Sequence, residues 1–302
     1  MSVAQDMPLR IGVFDSGFGG LTVLRALLPQ MPAAEFLYVG DTARLPYGSK
    51  SQATIARYAV ESAQFLVAQG AEYLVIACNT ASALALEDIR ASIDIPVLGV
   101  IETGAASAAA ISKSRDVLVL ATDATVQSHA YARACAARGL RALEKACPLL
   151  VPLIEEGWTE HSVTEQVLRI YLEEALHAAK KDGISPDTVL LGCTHYPLLR
   201  PLFERTLPAS MQILDSAETT ATCVRQDLEA RDLLRPDLSR QDLSRQGRLA
   251  SVQAASSLGG EEASPSGRCR FFATDSIGKF RLLGSRFLGH PMGAVELMDL
   301  GG

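Results

Sequence analysis

The chain is 302 residues long, 48% hydrophobic and 21% charged, an ordinary globular balance with room for two domains of about 100–150 residues each. Its formal net charge of -6, with basic residues scattered rather than gathered into a stripe, excludes the electrostatic footprint of a nucleic-acid binder. No apolar run approaches the ~18 residues that span a bilayer, and the first residues have neither the basic region nor the apolar core of a signal peptide, so a cytoplasmic protein with no membrane partner is expected.

In chain order, residues 10–15 read as a strand, Ser16-Gly17-Phe18-Gly19-Gly20 as a turn, and residues 21–28 as a helix. A second strand at 35–40 is followed by a helix at 51–69, where Ile55, Tyr58, Ala59, Ser62, Phe65 and Leu66 recur at helical spacing on one face. Residues 73–77 form a third strand, 82–92 a helix and 96–100 a fourth strand. This alternation points to right-handed βαβ crossovers and a parallel sheet.

The pattern then repeats. A helix at 105–112 leads to a strand at 117–121 and helices at 128–138 and 163–181. A strand at 188–191 and a short helix at 198–203 complete this half, and a strand at 212–215 and a helix at 217–231 follow. Crossings between domains are expected near 99–104 and 208–212. The first α/β domain would then comprise 1–99 plus 210–302, and the second 100–209.

Residues 232–268 differ in kind. They hold the tandem repeat Asp237-Leu238-Ser239-Arg240-Gln241 and Asp242-Leu243-Ser244-Arg245-Gln246, then a run rich in Ser, Gly and Ala. Few bulky apolar side chains are present to offset ordering entropy, so a disordered surface insertion without a catalytic role is expected. A strand at 270–273 and a helix around 276–283 follow.

Two stretches are near-copies of one device: Tyr73 to Thr80, ending Ala77-Cys78-Asn79-Thr80, and Thr188 to His195, ending Gly192-Cys193-Thr194-His195. Each is an unbroken apolar run that stops at a small residue, a cysteine and then polar side chains. Strands buried on both faces of a parallel sheet have this pattern, and ligands sit at their C-terminal ends. Two thiols in equivalent positions suggest one substrate with a sulfur on each side, suited to proton transfer on both faces of a carbon. A helix N-terminus beside each cysteine would stabilise its thiolate. The six cysteines include no CxxC pair and no histidine at metal-ligand spacing, which argues against a zinc site. Cys135, Cys147 and Cys223 are read as core residues.

Other candidates are less specific. The glycine loop after Asp15 would bring backbone N–H groups to an anion at a helix N-terminus, although its spacing matches neither common nucleotide motif. Asp15 reads equally as a helix cap. Asp41 closes the second strand in the same way, and Pro46-Tyr47-Gly48 is a turn that suits a carboxylate. Thr122 and Thr125 fit either a carboxylate site or a helix N-cap. His195 is placed to relay protons with Cys193, and Glu155 either faces the pocket or is a solvated charge. No strand-end cluster contains the lysine that a Schiff-base route needs. A non-catalytic carboxylate- or phosphate-binding protein built on the glycine loop is the alternative from another class.

Together these stretches resemble the glutamate racemase family of cofactor-independent amino-acid racemases. The resemblance is carried by Asp15-Ser16-Gly17-Phe18-Gly19-Gly20, Gly40-Asp41-Thr42, Pro46-Tyr47-Gly48, Ala77-Cys78-Asn79-Thr80 and the Thr122/Thr125 pair. Cys147 to Glu155, Gly192-Cys193-Thr194-His195-Tyr196-Pro197 and Asp215-Ser216 extend it in family order. An aspartate or hydantoin racemase is the related alternative, disfavoured by the Thr194-His195-Tyr196-Pro197 and Pro46-Tyr47-Gly48 matches.

The resemblance implies two pseudo-symmetric parallel-sheet α/β domains with the active site in the cleft between them. It implies interconversion of L- and D-glutamate without cofactor or metal, supplying D-glutamate for peptidoglycan. Carried over by motif, Cys78 takes the α-proton from D-glutamate and Cys193 from L-glutamate, assisted by Asp15 and His195 respectively. Ser16, Tyr47, Gly48, Asn79, Thr80, Thr122, Thr125 and Thr194 hold the carboxylates and amino group, and Asp41 and Glu155 are counted with them. One tension stands: an ionised Asp15 repels charge on Cys78 and raises its pKa. Some relatives of this kind are activated by UDP-N-acetylmuramoyl-L-alanine and many are homodimers; the residues themselves decide neither. The chain departs from the family pattern in the 232–268 insertion, Asp123 and Leu45.

Overall fold

The computed structural model describes residues 7–234 and 268–300. The expected insertion at 232–268 falls almost wholly on residues 235–267, outside the described residues. The strands in chain order are β1 (Arg10–Asp15), β2 (Glu35–Gly40), β3 (Tyr73–Ile76), β4 (Val97–Gly99), β5 (Asp116–Ala121), β6 (Arg141–Ala146), β7 (Thr188–Gly192), β8 (Gln212–Asp215), β9 (Cys269–Ala273) and β10 (Val295–Leu297). They form two sheets, β10-β9-β2-β1-β3-β4 and β6-β5-β7-β8, and every pairing is parallel.

The order β2-β1-β3-β4 recurs as β6-β5-β7-β8, so the second sheet repeats the topology of the first. In each half the third strand, β3 or β7, is buried along its whole length and ends at one of the two cysteines. The repeat read from the sequence is therefore a repeat of fold. One expectation needs correction. The strand at 212–215, placed after the return crossing, pairs with β7 through Thr188↔Gln212 and Leu191↔Asp215. It is the counterpart of β4, so the chain leaves the second sheet after Asp215 and not near 208–212.

Helices α1 (Leu21–Gln30), α2 (Gln52–Ala68), α3 (Asn79–Leu84) and α4 (Leu86–Ser92) belong to the first half. The α2 face predicted from periodicity is in place: Ile55, Ala59, Ser62 and Leu66 are buried, and Ser51 caps the helix by accepting the Thr54 N–H. The single helix expected at 82–92 is two, separated at Ala85, whose φ of -132° leaves the helical region. Two helices follow the crossings: α5 (Val100–Ile111) directly after β4, and a later one after β8. The second half adds α6 (Asp123–Gln127), α7 (Ala130–Ala136), α8 (Leu150–Glu155), α9 (Ser162–Lys181) and α10 (Arg200–Thr206). Then α11 (Ser216–Ala230) packs on α1 and α5, and α12 (Ile277–Leu288) packs on α1.

The core is continuous across the halves. One cluster joins Val13 and Val75 of the first sheet to Leu118, Leu191 and Cys193 of the second and to Phe280 and Phe287 of α12. Fully burying such side chains stabilises the fold by about 1.5–3 kcal/mol each. Among the described residues no helix is long and apolar enough to cross a membrane.

Candidate active site

The ends of β1, β3, β5 and β7 converge on a cavity of about 480 Å3 between the halves, within the usual range for small-molecule sites. Cys78 and Cys193 both line it, each 5% exposed. Ser16, Tyr47, Gly48, Asn79 and Thr80 join Cys78 from the first half, and Thr122, Glu155, Thr194 and His195 join Cys193 from the second.

The two thiols have different surroundings. Cys78 is the N-cap of α3: its Sγ accepts the Ala81 N–H at 3.4 Å and lies 3.4 Å from Ser16 Oγ. The helix N-terminus was expected to favour its thiolate, yet burial, reinforced by the charge of Asp15, pushes the thiol up to about 12. Desolvation outweighs the Ser16 hydroxyl and the Ala81 and Ser16 backbone N–H groups, which act to lower it. On the other side no α-helix starts at the cysteine. A 3-10 turn, Tyr196–Leu199, intervenes before α10. The neighbour there is His195, whose Nδ1 lies 3.9 Å from Cys193 Sγ and whose Nε2 lies 3.1 Å from Glu155 Oε1. Burial disfavours the imidazolium, but hydrogen bonds and charge from Cys193 and Glu155 prevail and hold it up to about 10.

Three of the expected residues are not on the wall. Asp15 is buried beneath it, with one carboxylate oxygen accepting the Gly17 N–H at 2.9 Å. Burial lifts its carboxyl above the usual range, against the positive charge of His195 and the Gly17 and Gly20 N–H groups. Asp41 stands behind Tyr47 and accepts from the Tyr47 hydroxyl at 2.5 Å, from Arg44 Nε at 2.9 Å and from Thr274 at 3.0 Å. With its carboxylate so occupied, it positions Tyr47 and does not face the cavity. Thr125, fully buried, sits 2.9 Å from Thr122 and 3.3 Å from Thr80. Thr122 caps α6, one of the two readings open to it, and it also lines the cavity. Glu155 faces the pocket, and its oxygen is directed at His195.

The glycine loop also has a packing role. A β-carbon at Gly19 would lie 2.2 Å from Thr194 Oγ1 and 2.5 Å from His195 Nδ1, and one at Gly20 would lie 2.5 Å from the Asp15 β-carbon. Gly19 allows close packing between the halves, secured by Thr22 Oγ1 donating to the Thr194 carbonyl at 2.9 Å, and Gly20 makes room for Asp15. The loop's visible N–H contact goes to Asp15.

The outer wall carries no signal in the sequence. Asp275, Ser276 and Lys279, at the turn into α12, line the cavity with Phe18, Val151 and Pro152. Lys279 is the only lysine or arginine on that wall among the described residues, and its Nζ lies 5.9 Å from the Phe18 ring centroid. It comes from a helix and not from a strand end. Phe287 of α12 meets His195 edge-on at 5.0 Å. No motif marks these residues in the sequence.

Residues 11–224 match the family model described as Asp/Glu/Hydantoin racemase. The chain belongs to this family. A glutamate racemase of Koribacter versatilis is 52% identical over 292 residues, covering 97% of this chain and 98% of its own. The structure of a glutamate racemase isoform from Bacillus anthracis superposes with a TM-score of 0.81 at 31% identity, covering 98% of both chains. That of the Francisella tularensis glutamate racemase in complex with D-glutamate gives 0.78 at 31% identity, also covering 98% of both. The two-sheet architecture of this racemase-family chain is thus shared with solved relatives over its length.

Proposed function

We propose that the chain interconverts L- and D-glutamate by proton transfer between the substrate α-carbon and two cysteines, Cys78 and Cys193. The observation that carries this reading is the placement of the two thiols at the ends of topologically equivalent strands, β3 and β7, on the wall of one cavity. Inverting a stereocentre requires an acid and a base on opposite faces of the carbon, and the repeated fold supplies one sulfur from each half.

In the L-to-D direction, the Cys193 thiolate takes the α-proton of L-glutamate. The C–H bond breaks, an S–H bond forms, and the electron pair delocalises into the adjacent carboxylate. The Cys78 thiol then donates its proton to the opposite face, leaving a thiolate. The D-to-L direction reverses these roles. The states favoured by the surroundings suit this cycle: Cys78 is held as the thiol, and the His195 imidazolium offers positive charge toward Cys193. The hydroxyls of Ser16, Thr80, Thr122 and Thr194 suit the carboxylates, and Lys279 adds a positive charge at the outer wall. Relatives named glutamate racemase at up to 52% identity favour glutamate as substrate, and supply of D-glutamate for peptidoglycan follows as the proposed role.

Incubation with L-glutamate in deuterated water tests the reading. Loss of the α-proton signal with appearance of the D-enantiomer is expected. Absence of both, or faster turnover of aspartate, overturns it.

A further inference from the structure

Tyr131 on α7 is a fully buried side chain that neither the repeat nor the cysteine motifs single out. Its hydroxyl receives the Asn79 Nδ2–H at 2.8 Å, across the boundary between the halves. Its ring is wedged between two glycines: a β-carbon would lie 2.9 Å from Tyr131 Cε2 at Gly192 and 3.2 Å from Cε1 at Gly104. Gly192 immediately precedes Cys193, and Asn79 immediately follows Cys78. One tyrosine therefore touches the residue adjoining each thiol. Burial keeps its hydroxyl protonated well above the ordinary tyrosine range.

Asn79 lines the cavity and is 3% exposed. With Nδ2 engaged by Tyr131, its Oδ1 is a buried acceptor with no hydrogen-bond partner among the described residues. An acceptor left so costs free energy unless a ligand satisfies it. Glutamate carries one strong donor, its α-ammonium, attached to the carbon that reacts.

We propose that Tyr131 is a positioning residue that holds the Asn79 carboxamide so that Oδ1 accepts from the substrate ammonium, fixing the α-carbon between the two thiols. This rests on the glutamate reading above and adds to it a residue outside the cavity wall. Tyr131 acts through Asn79, so its effect is one of substrate binding.

The experiment is a double-variant cycle in the full-length protein, with Tyr131→Phe, Asn79→Ala and the combination, following KM and kcat in both directions. Tyr131→Phe should raise KM by roughly five- to tenfold, the loss of about one hydrogen bond, with kcat changed less. Asn79→Ala should raise KM at least as much, and the double variant should match Asn79→Ala alone. Effects of the two substitutions that multiply, or a KM for either single variant within twofold of the native value, overturn the proposal. If Tyr131→Phe does not fold, Asn79→Ala still tests whether there is a contact to position. Racemisation by the native protein, measured in the same series, separates the outcomes. Its absence removes the glutamate reading and this proposal together, whereas native activity with an unaffected KM removes this proposal alone.

Discussion

His195 Nε2 lies 3.1 Å from Glu155 Oε1, while the other ring nitrogen, Nδ1, faces Cys193 at 3.9 Å. A carboxylate, an imidazole and a thiol thus stand in line on the second-half wall. On the first-half wall Cys78 has a hydroxyl and a helix N-terminus, with the Asp15 carboxylate buried nearby. The two half-sites share a backbone and differ in their helper groups.

Replacing Glu155 with Gln removes the charge that favours the imidazolium. If the reaction uses the protonated ring, activity should fall as pH rises through about 10 in the native protein, and in Glu155→Gln this limb of the kcat/KM profile should move to lower pH. An unshifted profile would exclude the imidazolium from the mechanism. The raised value also links fold stability to pH. The contribution is fully present below the ordinary histidine value of 6.5 and disappears as pH passes about 10, which denaturant titrations across that range would register.

Removing either thiol should cut racemisation by a factor on the order of 100 to 10,000, the usual contribution of a positioned acid or base. The variants should remain distinguishable by isotope exchange. Cys78→Ala keeps the group proposed for the L face, so solvent deuterium should enter L-glutamate without inversion, and Cys193→Ala should do the same for D-glutamate. Equal exchange of both enantiomers by each variant would contradict the assignment of faces.

Gly19→Ala inserts a β-carbon 2.2 Å from Thr194 Oγ1 and should destabilise the fold by about 1–3 kcal/mol, the usual cost of overpacking. Catalysis should fall as well, since His195 must move. Gly278→Ala in α12 meets nothing within 4 Å and should be neutral or stabilising by up to about 1 kcal/mol through helix propensity. Urea unfolding of the pair tests the contrast.

Asp215 closes β8 and caps α11, accepting from the Ala217 N–H at 3.0 Å and the Glu218 N–H at 2.9 Å while pairing with Arg200 at 3.0 Å. Asp215→Ala should cost about 1–2 kcal/mol. A change under a few tenths in urea titration would show the cap to be dispensable.

Much of this site is legible in the sequence because it lies at strand ends, where a sudden change from apolar to polar residues marks the mouth of a parallel sheet. Cys78, Asn79, Cys193, Thr194 and His195 are found that way. Strand β6, Arg141–Ala146, is not, because it is a sheet edge whose residues are only partly buried and keep no continuous apolar run. Lys279 and Phe287 also escape, since their approach to the cavity depends on how α12 packs and not on a local pattern. The glycine loop was legible as a close approach of backbone, but its partner, the loop carrying Thr194 and His195, is 175 residues away by the measure of Gly19 to Thr194. Asp41 closes a strand as the substrate contacts do, and sequence position does not reveal that Tyr47, Arg44 and Thr274 already fill its carboxylate.

In the proposed mechanism each enantiomer has its own half-site, yet mirror-image molecules have equal free energy in water. The ratio kcat/KM must therefore be the same for L- and D-glutamate in the native protein and in every variant, however unlike His195 and Ser16 are as helpers. The asymmetry of the cleft is free to appear only in kcat and KM taken separately. An enzyme of this design can be biased in which enantiomer it holds longer, never in which it prefers to make.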